Sequence, residues 1–185
     1  MRSYVGVDLS LTSTGLAAIT VPGIEAVPAA ASVTRVTSTG STKDSLRQRQ
    51  ARLVQVGMQV VGFVDRMDPR LVVIEAPSFA SKYGHPHDRS GLWWLVVNAL
   101  LANGHQVASA PPTTRAKYAA GKGNASKDQV LAEVVRRYPD VTITKNDEAD
   151  ALVLAAMGAR QLGDPIEASL PVVNITALSG VEWPF

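Results

Sequence analysis

The run Leu71-Val72-Val73-Ile74-Glu75 constrains this chain more than any other segment. Four apolar residues in succession, without alternation, predict a short strand covered on both faces. A strand of that kind needs helices above and below it. Residues 3–9, about 14–20 and 31–38 predict three strands joined by Gly, Pro, Ser and Thr turns, a β-meander before any helix. Residues 44–66 carry Leu46, Leu53, Val56, Val60, Val61 and Val64 at roughly helical spacing, and Asp68-Pro69 stops that helix. After the buried strand come a loop over 76–91 rich in Pro, Gly, Ser and His, a nearly all-apolar helix at about 91–102 and a fifth strand at 105–110. Helices around 112–119, 126–138 and 147–162 follow. This order fits an α/β fold, one mixed five-stranded sheet with helices on both faces. Residues 163–185, with Pro165, Pro171 and Pro184, form a C-terminal extension that patterning does not assign.

Length and composition agree with one domain. The chain has 185 residues, 46% hydrophobic and 18% charged, enough apolar side chain for a sizeable core. The absence of cysteine excludes disulfides, zinc ribbons and thiol nucleophiles. The N-terminus enters a strand directly, without a secretory pattern. The longest apolar stretch, Leu92 to Ala102, falls short of the ~20 residues a membrane span needs. These features predict a cytoplasmic protein with no membrane partner. Net charge is +2, but it is unevenly spread. Between Ser81 and Arg137, eight basic residues face three acidic ones, whereas the acids of greatest interest lie outside that window. A basic segment beside an acidic centre suits a phosphate backbone; an ordinary solvated surface is the plainer alternative.

Those acids sit where carboxylates are exposed by design. Asp8 ends the apolar strand Tyr4-Val5-Gly6-Val7 and precedes a polar turn, Leu9-Ser10-Leu11-Thr12-Ser13. It could present hard oxygens to a metal or cap local turn amides. Glu75 ends the buried strand; there it needs a compensating cation, either a metal or an arginine. Asp147 and Asp150 stand at i and i+3 on the last helix and share a face. Acids in a first helical turn also favour the macrodipole, so Asn146 or Asp147 could be the N-cap and Glu148 could serve only that purpose. If the three segments meet, the four carboxylates suit two divalent ions about 4 Å apart, the arrangement that cuts phosphodiesters.

The combination resembles the RuvC family of Holliday junction resolvases, within the ribonuclease H-like superfamily. Four segments carry the resemblance across about residues 4–160: Gly6-Val7-Asp8-Leu9-Ser10-Leu11-Thr12-Ser13-Thr14-Gly15, Val73-Ile74-Glu75, Gly121-Lys122-Gly123-Asn124-Ala125-Ser126-Lys127-Asp128-Gln129-Val130, and Asp147-Glu148-Ala149-Asp150-Ala151-Leu152. It implies a ribonuclease H-like nuclease domain over 1–162, followed by the extension at 163–185. It implies that Asp8, Glu75, Asp147 and Asp150 hold two Mg²⁺ or Mn²⁺ ions, and that Lys127 and Lys117 contact or activate the scissile phosphate. Phosphodiester cleavage builds negative charge that a nearby ammonium stabilises. Phe79, with Tyr83 second, is the aromatic residue implied to stack on unpaired bases. Lys82, Arg89, Arg115, Lys122 and Asn124 complete the implied nucleic-acid surface.

The expected activity is metal-dependent endonucleolytic cleavage of a four-way junction or other branched DNA by paired nicks. The expected assembly is a homodimer, whose symmetry presents two sites to two strands. The resemblance places the dimer interface on the helix containing Trp93 and Trp94; burial of that helix within the domain is the alternative. Two other functions compete. One is a non-catalytic junction-binding module. The other is an actin-like or sugar-kinase-like ATP-binding domain, suggested by the spacing of Asp8, Thr12 and Gly15. The departure in Ala76-Pro77-Ser78-Phe79 leaves strict junction selectivity open, and branch-migration partners are not specified.

Overall fold

The computed structural model describes residues 1–23, 29–77 and 86–185. Five strands, β1 (Arg2–Asp8), β2 (Ser13–Val21), β3 (Ala30–Thr37), β4 (Leu71–Glu75) and β5 (Val107–Ala110), form one sheet in the order β3-β2-β1-β4-β5. The first three pair antiparallel as the expected meander. β4 and β5 run parallel to β1. Helices α1 (Leu46–Met67) and α2 (Pro86–Ala102) cover one face. Helices α3 (Pro112–Ala120), α4 (Lys127–Arg137) and α5 (Asn146–Gln161) cover the other.

The unalternating β4 run does what its pattern predicts. Leu71 and Val73 pack with α5, while Val72 and Ile74 pack with α1 and α2, and all four are fully buried. By the same two-residue period Tyr4, Gly6 and Asp8 share the α5 face of β1, and Glu75 shares it on β4. Serines set two helix starts. Ser45 accepts from the Gln48 amide and Ser126 from the Gln129 amide, and each glutamine side chain accepts from its serine's amide in return.

The structure corrects several sequence expectations. α2 begins at Pro86, five residues before the expected start. Proline is preorganised for a first helical turn, and Asp88 in that turn complements the macrodipole while pairing with Arg49. β5 begins only at Val107, because the His105 amide donates to Leu100 O and closes the end of α2. Nor is α2 buried all round. Leu92, Val96, Val97 and Leu100 face the core, whereas Trp94 and Leu101 are 64% and 54% exposed.

Residues 163–185 are docked on the domain. Asp164 accepts from Arg2 Nε at 2.6 Å and from the Tyr4 hydroxyl. Buried Glu167 accepts from the Tyr118 and Tyr138 hydroxyls at 3.0 and 2.6 Å and pairs with Arg160 at 3.1 Å. A four-residue helix, α6 (Val172–Ile175), supplies Asn174, which donates to Tyr118 O at 2.8 Å. Glu182 then bridges antiparallel to Ser109 along β5. The extension therefore packs as part of the same sheet-and-helix body. Among the described residues, no helix is long and apolar enough to cross a membrane.

Candidate active site

The site lies where β1 and β4 end. These strands are parallel neighbours, with Val7 opposite Ile74, so Asp8 and Glu75 emerge side by side on the α5 face. α5 is held against them by two glycines. A Cβ on Gly6 would stand 2.5 Å from Ala155 N and collide with Ala151 O; one on Gly15 would collide with Asp147 O. This close approach brings the first turns of α5, with Asp147 and Asp150, down to the strand ends.

Asp8, Glu75 and Asp150 form one electrostatic unit. Burial, then the neighbouring Glu75 and Asp150 carboxylates, push the Asp8 carboxyl well above the usual range. Burial likewise pushes Asp150 up to about 6; Glu75 and Asp147 add to that rise, while Arg115 and Lys127 oppose it. Asp8 does not cap its turn, because Thr14 does: its hydroxyl accepts from Ser10 N at 3.0 Å and donates to Ser10 O at 2.8 Å.

Asp147 sits slightly apart. It accepts from the Ser13 hydroxyl and, at 3.0 Å, from the Glu148 amide. The helix N-cap is Lys145, one residue before Asn146 and two before Asp147, the expected positions. Glu148 has the purely structural task. It accepts from the Thr144 and Lys145 amides at 2.7 and 3.0 Å and pairs with Arg35 at 3.1 Å. Burial pulls its carboxyl up, but these donors outweigh burial and hold it below its ordinary value.

Arg115 occupies an unexpected place. It was expected on a nucleic-acid surface; it is only 7% exposed and lies inside the acidic cluster. Its Nε donates to Glu75 Oε2 at 2.6 Å and its Nη1 to Asp150 Oδ1 at 2.5 Å. Burial opposes its charge, but Glu75 and Asp150 outweigh burial and hold its pKa above the ordinary value. The arginine weighed as an alternative partner for Glu75 is therefore present. No local signal in the sequence marked this placement, because its partners stand 40 and 35 residues away in the chain.

The other expected residues separate into groups. Lys127 opens α4 exposed to solvent, and its charge acts on both Asp8 and Asp150. Lys117 is half-buried in the last turn of α3 and forms none of the ion pairs to the acids. Lys122 and Asn124 are exposed on the loop between α3 and α4. Arg89 lines a cleft of about 300 Å³ with Ser10, Thr12 and Arg52. Phe79, Lys82 and Tyr83 lie outside the described residues. The sequence reading missed Trp93, whose Nε1 donates to Glu75 O at 3.0 Å and pins the end of β4.

Among the described residues, no group of three or more acidic or imidazole side chains stands close enough to hold an ion as placed. The donor chemistry nevertheless suits one. Asp8, Glu75 and Asp150 offer hard carboxylate oxygens, and burial with mutual repulsion makes the ionised forms of Asp8 and Asp150 costly, a cost that a bound cation would offset.

A meander extended by two parallel strands, with acids at the ends of β1 and β4 and on the crossing helix, defines the ribonuclease H-like fold. Within that class it is the fold of the RuvC-like Holliday junction resolvases. Thermus thermophilus RuvC superposes with a TM-score of 0.68 at 22% identity, covering 88% of this chain and 98% of that one. The same organism's RuvC in complex with a Holliday junction substrate gives 0.66 at 17% identity, covering 89% and 98%. The yeast mitochondrial Holliday junction resolvase Ydc2 gives 0.52 at 16% identity, covering 82% and 75%. No protein-family model matches the chain, and no curated protein matches it.

Proposed function

We propose that this chain is a structure-selective DNA endonuclease that resolves Holliday junctions or related branched DNA. One observation carries the proposal: Asp8 and Glu75 lie side by side at the ends of β1 and β4, with Asp150 brought onto them by α5. In this reading Asp8, Glu75 and Asp150, with Asp147 at the margin, hold two Mg²⁺ or Mn²⁺ ions. Bound there, the ions would activate water and stabilise the leaving oxygen. Lys127, exposed beside the acids, would stabilise charge on the phosphate. Trp93 keeps Glu75 in place through its backbone carbonyl.

Branched DNA as the partner is supported by solved structures of this fold that carry Holliday junction DNA. Homodimerisation is supported by α2, whose exposed Trp94, Leu95 and Leu101 offer an apolar face for an isologous contact. The second reading, a non-catalytic junction-binding module, draws on the same Arg115 ion pairs, which engage two of the acids without metal.

The test is cleavage of a synthetic four-way junction with Mg²⁺, beside linear duplex, flap and single-strand controls. Symmetric nicks, lost in Asp8→Asn, are the expected result. Cleavage of flaps and forks as well would make the protein a general branched-DNA nuclease. Binding without cutting in either metal would leave the junction-binding reading.

A further inference from the structure

We infer that Arg115 is an internal counter-cation that holds Glu75 and Asp150 in the metal-free protein and must leave them when metal binds, so that it sets the metal affinity of the site. The inference rests on the metal-binding reading above. Its basis is geometric. One guanidinium spends two separate nitrogens on two acids from different elements, Nε on Glu75 of β4 and Nη1 on Asp150 of α5. A planar fork can bridge carboxylates in this way, whereas a single ammonium point charge is less suited to it. The side chain reaches them from α3 and is almost wholly buried.

Without that cation, Asp8, Glu75 and Asp150 would crowd three carboxylates at the edge of the core. With it, Glu75 Oε2 and Asp150 Oδ1 are already engaged, and no three acidic side chains among the described residues converge closely enough for an ion. A dication entering between Glu75 and Asp150 would meet the guanidinium at short range, where two positive charges repel strongly. Arg115 is therefore the group that has to move. Arg35 on Glu148 forms a nearby ion pair with none of these consequences, since Glu148 is committed to the start of α5.

The experiment uses the full chain without DNA. Mn²⁺ binding is measured by the loss of the free-ion electron paramagnetic resonance signal in wild type, Arg115→Gln, Arg115→Lys and Arg35→Gln. In parallel, the Nε–H resonance of Arg115, assigned in wild type by through-bond correlation along its own side chain, is followed as Mg²⁺ is added. We expect Arg115→Gln to bind Mn²⁺ at least tenfold more tightly and Arg35→Gln to bind as wild type does. We expect the Nε–H resonance to leave its hydrogen-bonded position in step with metal occupancy. An unchanged or weaker Mn²⁺ affinity in Arg115→Gln would overturn the inference. So would an Nε–H resonance that stays in place at saturating Mg²⁺, a readout in wild type that stands even if the variants fail to fold. Failure of wild type to take up metal at all would overturn the metal-binding reading beneath it, a distinct result from metal uptake beside a stationary Arg115.

Discussion

Gly6 of β1 lies directly beneath Ala151 of α5, so close that any side chain at residue 6 would collide with the Ala151 carbonyl. The atoms in the way are backbone, including Ala155 N at 2.5 Å from the position a Cβ would take, and cannot rotate aside. Gly15 bears the same relation to Asp147 one strand over. Both glycines thus set the height of α5 above the sheet, and with it the reach of Asp150 toward Asp8.

Gly6→Ala is accordingly expected to cost more than about 3 kcal/mol, the upper end for overpacking a core, and to disturb the acid cluster. Denaturant titration of purified protein measures the loss. Gly23→Ala, where an added methyl meets nothing within 4 Å, serves as the matched control and should shift stability little.

The adjacent acids of α5 should behave in opposite ways. Asp150→Asn removes a carboxylate from the proposed site and is expected to lower junction cleavage about 10³-fold while leaving junction binding intact. Glu148→Gln removes the partner of Arg35 and weakens the bonds to the Thr144 and Lys145 amides. It is expected to destabilise the fold by about 1 to 3 kcal/mol. Cleavage per folded molecule should stay near wild type. Comparing single-turnover rates with thermal unfolding separates the two. Equal loss of cleavage in both variants would show that Glu148 does more than hold the helix start.

Lys127 offers a cleaner probe of charge at the site, because it is exposed and its removal leaves the core untouched. Lys127→Met is expected to reduce the cleavage rate about a hundredfold, the order seen for loss of one charge-stabilising donor, with an unchanged melting temperature. Lys117→Met, outside the ion pairs of the cluster, should affect the rate less. The reverse ranking in single-turnover assays would transfer the phosphate-facing role to Lys117.

The meander, the buried strand β4 and the strand-end acids were legible because they rest on local signals. The unalternating β4 run announced two covered faces, and Asp8 and Glu75 each closed an apolar run at a strand end. What was hidden depends on contacts distant in sequence. Arg115 pairs with acids 40 and 35 residues away, so its composition suggested a basic surface rather than a buried bridge. Trp93 looked like core or interface because its indole bond to Glu75 O is a tertiary event. The extension was opaque for the same reason: its order comes from Glu167 and Asn174 reaching Tyr118 and Tyr138 on other helices, not from its own periodicity.

The extension also makes the fold sensitive to acid. Burial pulls the Asp164 carboxyl up, but the Tyr4 hydroxyl and the Arg2 guanidinium outweigh burial and hold it below its ordinary value of 3.8. A carboxyl with a depressed folded pKa binds its proton less readily folded than unfolded. Its contribution to stability is therefore fully present above the unfolded value and is lost as pH falls through the folded one. At pH 7, Asp164→Asn is expected to cost about 2 kcal/mol, the scale of a charge-assisted hydrogen-bond set. In a chain of this size that lowers the melting temperature by about 4 to 8 °C. As pH falls below about 4 the wild-type advantage should shrink, because the unfolded carboxyl takes up its proton before the folded one does, and the advantage is gone once the folded carboxyl is protonated too. Melting curves of both proteins between neutral pH and strong acid test this. Parallel curves, with the same gap at every pH, would show that Asp164 acts by packing and not by its charge.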